Sequence, residues 1–600
     1  MIRLRRPLVA LGLLVLLLVA TPGVASAHAQ LESTDPNESA VLLVPPTQVV
    51  LHFGEPVEID FGSLRVIGPG GARVDAGTAH HPAGDTHAVA VSLPAHLHDG
   101  TYVVAWRVIS ADSHPVHGAY IFSVGTAAGA RRANALALRI ADESGSTTVG
   151  VLYWIVRAAA FVGLFVLVGL AVMASVLWRS GGRTRRIRRV LWWAFGVLAA
   201  ATLAGILIQG VYASSLPLTD IYRPSLISAV LGTRFGEVEL LRLALLAVMA
   251  VVLLGLTGSA GGRVRSGPWV VPVAGLVGLG LLSTPGLAGH ASTGSSPVLG
   301  LALDVAHLSA ASLWIGGLVL LATFLVPRDP GDAWPPDPIA LTTRVSAVAF
   351  GAVVVVVGTG VVQSLRQVGS FYALFHTTYG RTLIVKICLV VLLVAVGSMS
   401  RRLVHGRLRR RSRVDRGVGD VDRGVAHATA GAPGATAVLD PVTTEVRAAV
   451  DESAFPLRRL RRTVVAELAI VLAVIGVTAA LVNDVPAGQA AALPFAYSFT
   501  TLGVQVNTIV DPARAGIGNE VHVYILSSAG TPEAVPEFDL SITLPSQSIG
   551  PLPVPLVISG PGHYYANHFV IPVAGSWILK YTVRTDAIDE QEVTTVLPVH

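Results

Sequence analysis

Residues 151–178 read VLYWIVRAAAFVGLFVLVGLAVMASVLW, an apolar run long enough for one helical crossing of a bilayer. Such a crossing needs about 20 mainly apolar residues. We count eight runs of this kind, which together predict a bundle of eight transmembrane helices. The predicted spans are 151–178, 190–213, 238–258, 268–288, 299–326, 344–365, 382–400 and 463–482.

Clusters of arginine predict the orientation of this bundle. The first span is followed by six Arg residues between Arg179 and Arg189, and a second large cluster covers 401–413. Because cytoplasmic loops carry the excess of Lys and Arg, both ends of the bundle are expected outside. The segment 405–455 is rich in Arg, Asp, Gly and Ala, and we expect a disordered cytoplasmic loop there. The chain is therefore predicted to be a multi-pass plasma-membrane protein with both terminal domains on the extracytoplasmic side.

The chain on either side of the bundle predicts two small β-sandwiches. Residues 28–126 and 495–600 carry short alternating runs separated by Gly- and Pro-containing turns. Residues 127–148 are small and polar and are interpreted as a linker, so the membrane domain covers 149–485. The predicted fold class is mixed: an N-terminal β-sandwich, an eight-helix transmembrane bundle and a C-terminal β-sandwich.

Composition excludes several classes of function. Apolar residues make up 52% of the chain and charged residues 13%, and the net charge of +6 comes from Arg beside apolar spans, so we expect no nucleic-acid partner. The single cysteine, Cys388, excludes an intrachain disulfide framework and a Cys-rich metal site. Neither of the two lysines, Lys386 and Lys580, stands in a nucleotide-binding G-x-x-x-x-G-K-[ST] loop.

Residues 1–27 have the pattern of a secretory signal peptide. A basic start precedes a short apolar run, and Ala25-Ser26-Ala27 supplies the small residues of a cleavage site. Cleavage after Ala27 would make His28 the mature N-terminus. Its free amine and its imidazole could then chelate one metal ion.

A second pair of candidate ligands, Asp112 and His114, lies near the end of the first domain. Two residues apart on an extended segment, their side chains would point to the same side. Together with His28 they form a nitrogen and oxygen ligand set that suits Cu(II), with Zn(II) as its usual competitor. The alternative is a surface loop in which Asp112 caps a turn.

The membrane region has its own polar cluster. His290 follows the fourth span, and Asp304 and His307 stand three residues apart, on one face of the fifth. Lys386 lies near the outer end of the seventh. Ionisable residues inside spans are costly and usually face a bundle interior or a pathway. The alternative is that these residues are interfacial anchors or structural ion pairs.

Residues 28–126 resemble the CopC family of periplasmic copper-binding β-sandwiches. The motifs that carry the resemblance are the His28 start, Thr34-Asp35-Pro36, residues 51–56 (LHFGEP), Gly100-Thr101-Tyr102 with Trp106-Arg107, and residues 110–115 (SADSHP). The resemblance implies Cu(II) ligation by His28, Asp112 and His114, with Glu55 as an axial or outer candidate. The mature first domain contains no methionine, so a soft Cu(I) site is not expected there.

Residues 150–485 resemble the CopD family of copper-resistance membrane proteins. The motifs that carry this resemblance are Gly289-His290-Ala291, Asp304 with His307, Trp314-Ile315-Gly316-Gly317, Thr343-Arg344-Val345-Ser346, and residues 379–383 (YGRTL) with Lys386. This resemblance implies passage of copper towards the cytoplasm. It makes His290 and His307 candidate ligands, and Asp304 a ligand or orienting partner.

Three functional hypotheses follow, and we expect no enzymatic activity. The first is an envelope copper protein whose outer domain captures Cu(II) and passes copper to the bundle for import, with a copper chaperone or a reductase as further candidate partners beside the bilayer. The second is a haem, electron-transfer or oxidase-assembly protein with His290 and His307 as axial ligands. The third is a copper sensor or buffer without transport.

Overall fold

The computed structural model places two β-sandwiches around a bundle of long helices. The structure describes residues 29, 31–38, 40–59, 64–111, 113–125, 130–141, 146–178, 184–257, 270–289, 296–325, 337–368, 371–399, 401–402, 457–484, 487, 495–511, 513–516, 518–528 and 531–599. The predicted signal peptide and the predicted cytoplasmic loop at 405–455 lie outside these residues.

The first domain packs a four-stranded sheet, β1-β3-β7-β6, against a five-stranded sheet, β2-β9-β8-β4 with β5 also on β8. Its strands are β1 (Leu31–Asp35), β2 (Val41–Leu42), β3 (Gln48–Phe53), β4 (Val57–Glu58), β5 (Leu64–Ile67), β6 (Ala76–His80), β7 (Ala88–Ser92), β8 (Gly100–Ser110) and β9 (Pro115–Val124). Val49, Leu51 and Phe53 point from β3 into the core because alternate residues of a strand face the same side.

Helix α1 (Ala130–Ala141) occupies most of the segment predicted to be a linker. Ala133 and Ala137 are buried and pack with Val103 of β8. The small residues that indicated a linker are therefore the ones that let this helix approach the sheet closely.

The membrane domain contains eight long apolar helices among the described residues, as predicted. With two short helices between them, the order is α2 (Thr147–Leu177), α3 (Arg185–Ala213), α4 (Pro224–Gly232), α5 (Arg234–Thr257), α6 (Val270–Leu287), α7 (Pro297–Leu325), α8 (Pro338–Val368), α9 (Phe371–His376), α10 (Thr378–Met399) and α11 (Leu457–Leu481). Helices α2 and α7 cross so closely at Gly169 and Gly316 that a Cβ on either glycine would overlap the other helix's backbone. Small residues commonly allow such crossings in membranes.

The last domain also has two sheets, β10-β11-β12-β16-β15 and β14-β13-β17-β18. Its strands are β10 (Phe495–Thr501), β11 (Val504–Asp511), β12 (Gly518–Leu526), β13 (Glu537–Leu544), β14 (Ile549–Pro553), β15 (Val557–Gly560), β16 (His563–Val570), β17 (Gly575–Arg584) and β18 (Glu590–Val599). The domain has its own core, in which Trp577 and Tyr581 are fully buried. The predicted mixed fold class is therefore confirmed.

Candidate metal centre

The loop between β8 and β9 carries the predicted ligand His114. Two backbone hydrogen bonds close the turn in this loop. Ser113 N–H donates to Ser110 O at 2.8 Å, and Ser110 N–H donates to His114 O at 3.0 Å. Ser113 adopts a left-handed conformation with φ of 72°. A non-glycine residue held there costs of order 1–3 kcal/mol, and the surrounding contacts have to compensate for that cost.

Contacts with the bundle hold this loop. His114 is only 4% exposed, and its Nε2 lies 2.8 Å from the carbonyl oxygen of Val482, at the end of α11. Because a carbonyl only accepts, Nε2 carries the proton, and a neutral ring then keeps its lone pair on Nδ1. Ser113 Oγ donates to Ala288 O at 3.1 Å, and Gln209 Nε2 of α3 donates to Ser113 O at 3.1 Å. The candidate ligand loop therefore faces the helices.

Further hydrogen bonds extend this junction along β4 and β8. Arg107 Nη1 donates to Ser215 Oγ at 2.5 Å, and the backbone N–H of Arg234 donates to Glu58 Oε1 at 3.0 Å. Ile109 joins a small apolar cluster with Ala213, which is fully buried. The first domain is thus docked on the bundle by both polar and apolar contacts.

Glu55, the candidate for an axial or more distant position around the copper ion, lies close to this loop. Ser110 Oγ donates to Glu55 Oε1 at 2.5 Å, and Val57 pairs with Ser110 across β4 and β8. The carboxylate is half-buried. The structure therefore brings Glu55 to the strand end from which the Asp112–His114 segment begins.

A cavity that is partly open to solvent lies beneath the loop, and His114 is part of its lining. Most of its wall is apolar, and its polar groups include Arg157, Glu239 and Arg242. Arg242 Nη1 contacts both oxygens of Glu239 at 2.5 and 2.6 Å, and its Nε donates to Thr284 Oγ1 at 2.8 Å. The buried ion pair is thus hydrogen-bonded in a site of low dielectric, where an unpaired charge would be costly.

The second predicted site assembles within the bundle. His307 Nδ1 lies 2.8 Å from Thr359 Oγ1 of α8, while that hydroxyl donates to Val355 O at 2.7 Å. The hydroxyl oxygen therefore accepts from Nδ1–H, which leaves the lone pair of a neutral His307 on Nε2. Lys386 of α10 interacts electrostatically with both Asp304 and His307. Four helices thus meet here, because Asp304 also lies against Gly286 of α6.

Three predicted ligands, His28, Asp112 and His290, lie outside the described residues. Their membership of a metal site stays a prediction. Ala29, which would follow the mature N-terminal residue, is 1% exposed in the core of the first sandwich. Of the predicted ligands that are described, Glu55 and His114 share one neighbourhood, and Asp304 and His307 share another.

Two residues of the junction escaped the sequence analysis. Gln209 is 2% exposed near the end of α3, and Arg157 of α2 donates to Val482 O, the same carbonyl that His114 contacts, at 3.1 Å. Both are polar residues inside apolar runs. That position is the signal that could have identified them, because such residues usually face a bundle interior.

Comparison with known proteins assigns the first domain and most of the membrane domain to families. The CopC domain model matches residues 31–125, the model for the N-terminal domain of copper resistance protein D-like proteins matches 146–301, and the model for copper resistance protein D matches 339–481. The loop site lies within the first of these regions. In the bundle site, Thr359 and Lys386 lie within the third region, whereas Asp304 and His307 fall between the second and the third.

Similar proteins include both fused and single-domain relatives. Copper transport protein CutJ of Bacillus subtilis is 29% identical over 410 residues, which are 67% of this chain and 72% of the relative. Protein YobA of Escherichia coli is 36% identical over 19% of this chain and 91% of its own length. Copper resistance protein C of Pseudomonas syringae is 30% identical over 17% of this chain and 82% of its own length. CopC from Methylosinus trichosporium, a solved structure, is 32% identical over 16% of this chain and 93% of its own, with a TM-score of 0.15.

The fold and these matches define a multi-pass membrane protein with a copper-protein domain at its N-terminal end. The chain belongs to the CopC/CopD copper-resistance family, as a fusion of a CopC domain with a CopD membrane domain.

Proposed function

We propose that this protein captures Cu(II) on its CopC domain, outside the cell membrane, and passes copper to the CopD bundle for import. The ligands of the first site are His28, Asp112 and His114, with Glu55 beside them. The acceptor is formed by Asp304 and His307, with His290 as a further candidate ligand.

The docking of the Ser110–His114 loop is the observation that carries this proposal. A domain that only stored copper would gain nothing from turning its ligand loop away from water. Here His114 is 4% exposed and contacts the end of α11, while Ser113 contacts the end of α6. Fusion already raises the effective concentration of donor for acceptor. Docking also fixes the orientation of the ligand loop relative to the bundle.

The outer end of α6 connects the two sites. Its Pro285 and the following Ala288 and Gly289 line the cavity beneath His114, while Gly286 lies against Asp304. In the chain, His290 follows Gly289 directly. One helix end therefore contacts both the cavity beneath the loop and Asp304, and it is the route that we assign to copper between the two sites.

The chemistry of the donors favours Cu(II) at the outer site. An amine, two imidazoles and a carboxylate are ligands that Cu(II) prefers, and the first domain lacks the thioether that would favour Cu(I). The orientation follows from the arginine clusters beside the predicted inner ends of the spans. A copper chaperone or a reductase would be an additional partner.

The test is copper accumulation in cells that lack the native protein and express variants. His307→Ala should lower accumulation to the level of the deletion, because it removes the only imidazole of the described inner cluster, formed by Asp304, His307 and Lys386. Ala302→Leu, at an exposed position on the same helix, is the matched control and should transport normally.

The proposal would be wrong if His307→Ala accumulated as much copper as the unaltered protein, while deletion of the whole protein lowered accumulation. A Soret band in the purified protein would instead favour the haem hypothesis. Bound copper without any flux would favour a sensor or buffer.

A further inference from the structure

A pair of histidines in the last domain belongs neither to the His114 loop nor to the cluster of Asp304 and His307. His522 of β12 and His563 of β16 stand on neighbouring strands, with His522 Nδ1 3.2 Å from His563 Nε2. Their rings are stacked, with centroids 5.5 Å apart. Both side chains are on the outer face of the five-stranded sheet, because Val521 and Val523 face the core.

The separation of these nitrogens suits a shared metal ion. Histidine nitrogens bind Zn(II) at about 2.0–2.1 Å, so two nitrogens 3.2 Å apart would subtend about 103° at one ion. That angle lies between the right angle of a tetragonal site and the tetrahedral angle. One of the two nitrogens carries the proton of their present hydrogen bond. That proton has to move to the other nitrogen of its ring, or leave, when both nitrogens bind a metal ion.

Carboxylates surround the pair. Glu520 is two residues before His522 on the same face of β12, and its Oε2 lies 3.7 Å from His522 Nε2. Asp511 of β11 pairs directly with Glu520 across the sheet. No group of three ligand side chains among the described residues converges on one point as it stands, so a carboxylate has to rotate to complete a site.

The third carboxylate comes from the first domain. Glu38 interacts electrostatically with His522, Asp511 and Glu520, and Tyr524 Oη donates to the Glu38 carbonyl at 3.1 Å. Tyr524 in turn stacks on His563, with ring centroids 4.5 Å apart. The two imidazoles therefore lie where the first and last domains meet, with more negative than positive charge around them.

We propose that His522 and His563, completed by Glu520 or by Glu38 of the first domain, form a second divalent metal site that joins the two outer domains. Nitrogen and oxygen donors bind Cu(II) more tightly than Zn(II), so Cu(II) is the expected ion in this copper protein. The site is distinct from the His114 loop and does not depend on import.

The test counts metal bound to the full-length protein in detergent, after equilibrium dialysis against Cu(II) or, separately, Zn(II). The double variant His522→Phe with His563→Phe keeps two stacking rings but removes the nitrogens. It should bind one Cu(II) fewer than the unaltered protein and lose an EPR signal with two-nitrogen coupling. The matched control, His96→Phe with His98→Phe, changes two exposed histidines and should lose neither.

Single variants cover the case in which the double variant does not fold. His522→Phe should weaken Cu(II) binding at this site by at least about tenfold, with an unchanged melting temperature of the metal-free protein. Glu520→Gln or Glu38→Gln should do the same, and the one that does identifies the carboxylate that completes the site. Equal copper content in the unaltered protein and the folded double variant would reduce the pair to a structural hydrogen bond and overturn the proposal. The proposal would also be overturned if the His96 and His98 control lost as much bound copper as the double variant, or if the site bound Zn(II) ten times more tightly than Cu(II).

Discussion

Replacing Gln209 by Leu should loosen the docking of the first domain on the bundle. The side chain is 2% exposed, and its Nε2 donates to Ser113 O at 3.1 Å. Leucine has a similar size but no donor, so the buried Ser113 carbonyl would lose this hydrogen bond. A buried polar group left unpaired costs about 1–3 kcal/mol. The undocked population should therefore rise about 5- to 150-fold.

A buried cysteine can report this opening. Ala213 is fully buried against Ile109 of the first domain, so Ala213→Cys in a Cys388→Ser background should react with an impermeant maleimide only after undocking. Gln209→Leu should accelerate that reaction about 5- to 150-fold, in proportion to the undocked population. Thr202→Val, two turns deeper in α3, is the control and should leave the rate unchanged. The reasoning fails if Gln209→Leu reacts no faster than its parent, or if Thr202→Val reacts as fast as Gln209→Leu.

Three further predictions concern the bundle and the last domain. Gly316→Ala should destabilise the bundle by about 1–3 kcal/mol or more, because the new methyl would overlap the backbone at Gly169. The measurement is the melting temperature in detergent, and an unchanged value would contradict the close crossing of the two helices. Lys386→Met should destabilise the bundle by removing the positive charge that acts on Asp304, and adding Asp304→Asn should restore part of the loss. We expect an interaction energy of about 0.5–3 kcal/mol in the double-mutant cycle, and additive effects of the two changes would argue against the interaction. Burial and His522 hold the pKa of His563 near 4, whereas an unfolded histidine titrates near 6.5. The contribution of His563 to the stability of the last domain should therefore be complete above pH 6.5 and fall by roughly 2–3 kcal/mol as the pH falls towards 4. Burial raises the pKa of Asp511 to about 6, so its contribution changes in the opposite direction, in the unaltered protein and in His563→Phe alike. Hydrogen exchange of β16, corrected for intrinsic rates, should show this loss in the unaltered protein but not in His563→Phe.

The spans and the sandwiches were predictable because each depends on a local pattern. An apolar run such as 151–178 can satisfy its backbone in a bilayer only as a helix, and alternation along β12 separates a buried face from an outer one. Helix α1 was not predicted, although Ala133, Ala137 and Ile140 recur at helical spacing. Its small residues were interpreted as a linker, and the strand β8 on which they pack is not adjacent to them in the chain.

The junction could not be predicted, because its contacts join residues that are far apart in the chain. Gln209 and Ser113 are 96 positions apart, and His114 and Val482 are 368 apart. Nothing in the Ser110–His114 motif indicates that it faces a helix bundle. The pairing of Asp304 with His307 was predictable from helical spacing, whereas the hydrogen bond of His307 to Thr359 depends on how α7 and α8 pack.

Copper entry into liposomes, with the first domain either docked or held away, tests transfer between the domains most directly. Ala213→Trp combined with Gln209→Leu places a large side chain in the junction and removes a hydrogen bond, while the first domain's own ligands stay intact. Copper binding to the first domain should then be unchanged, and copper entry at limiting supply should fall at least about tenfold. Entry at the unaltered rate, in protein whose junction is shown to be open by protease or hydrogen exchange, would contradict transfer from the docked loop.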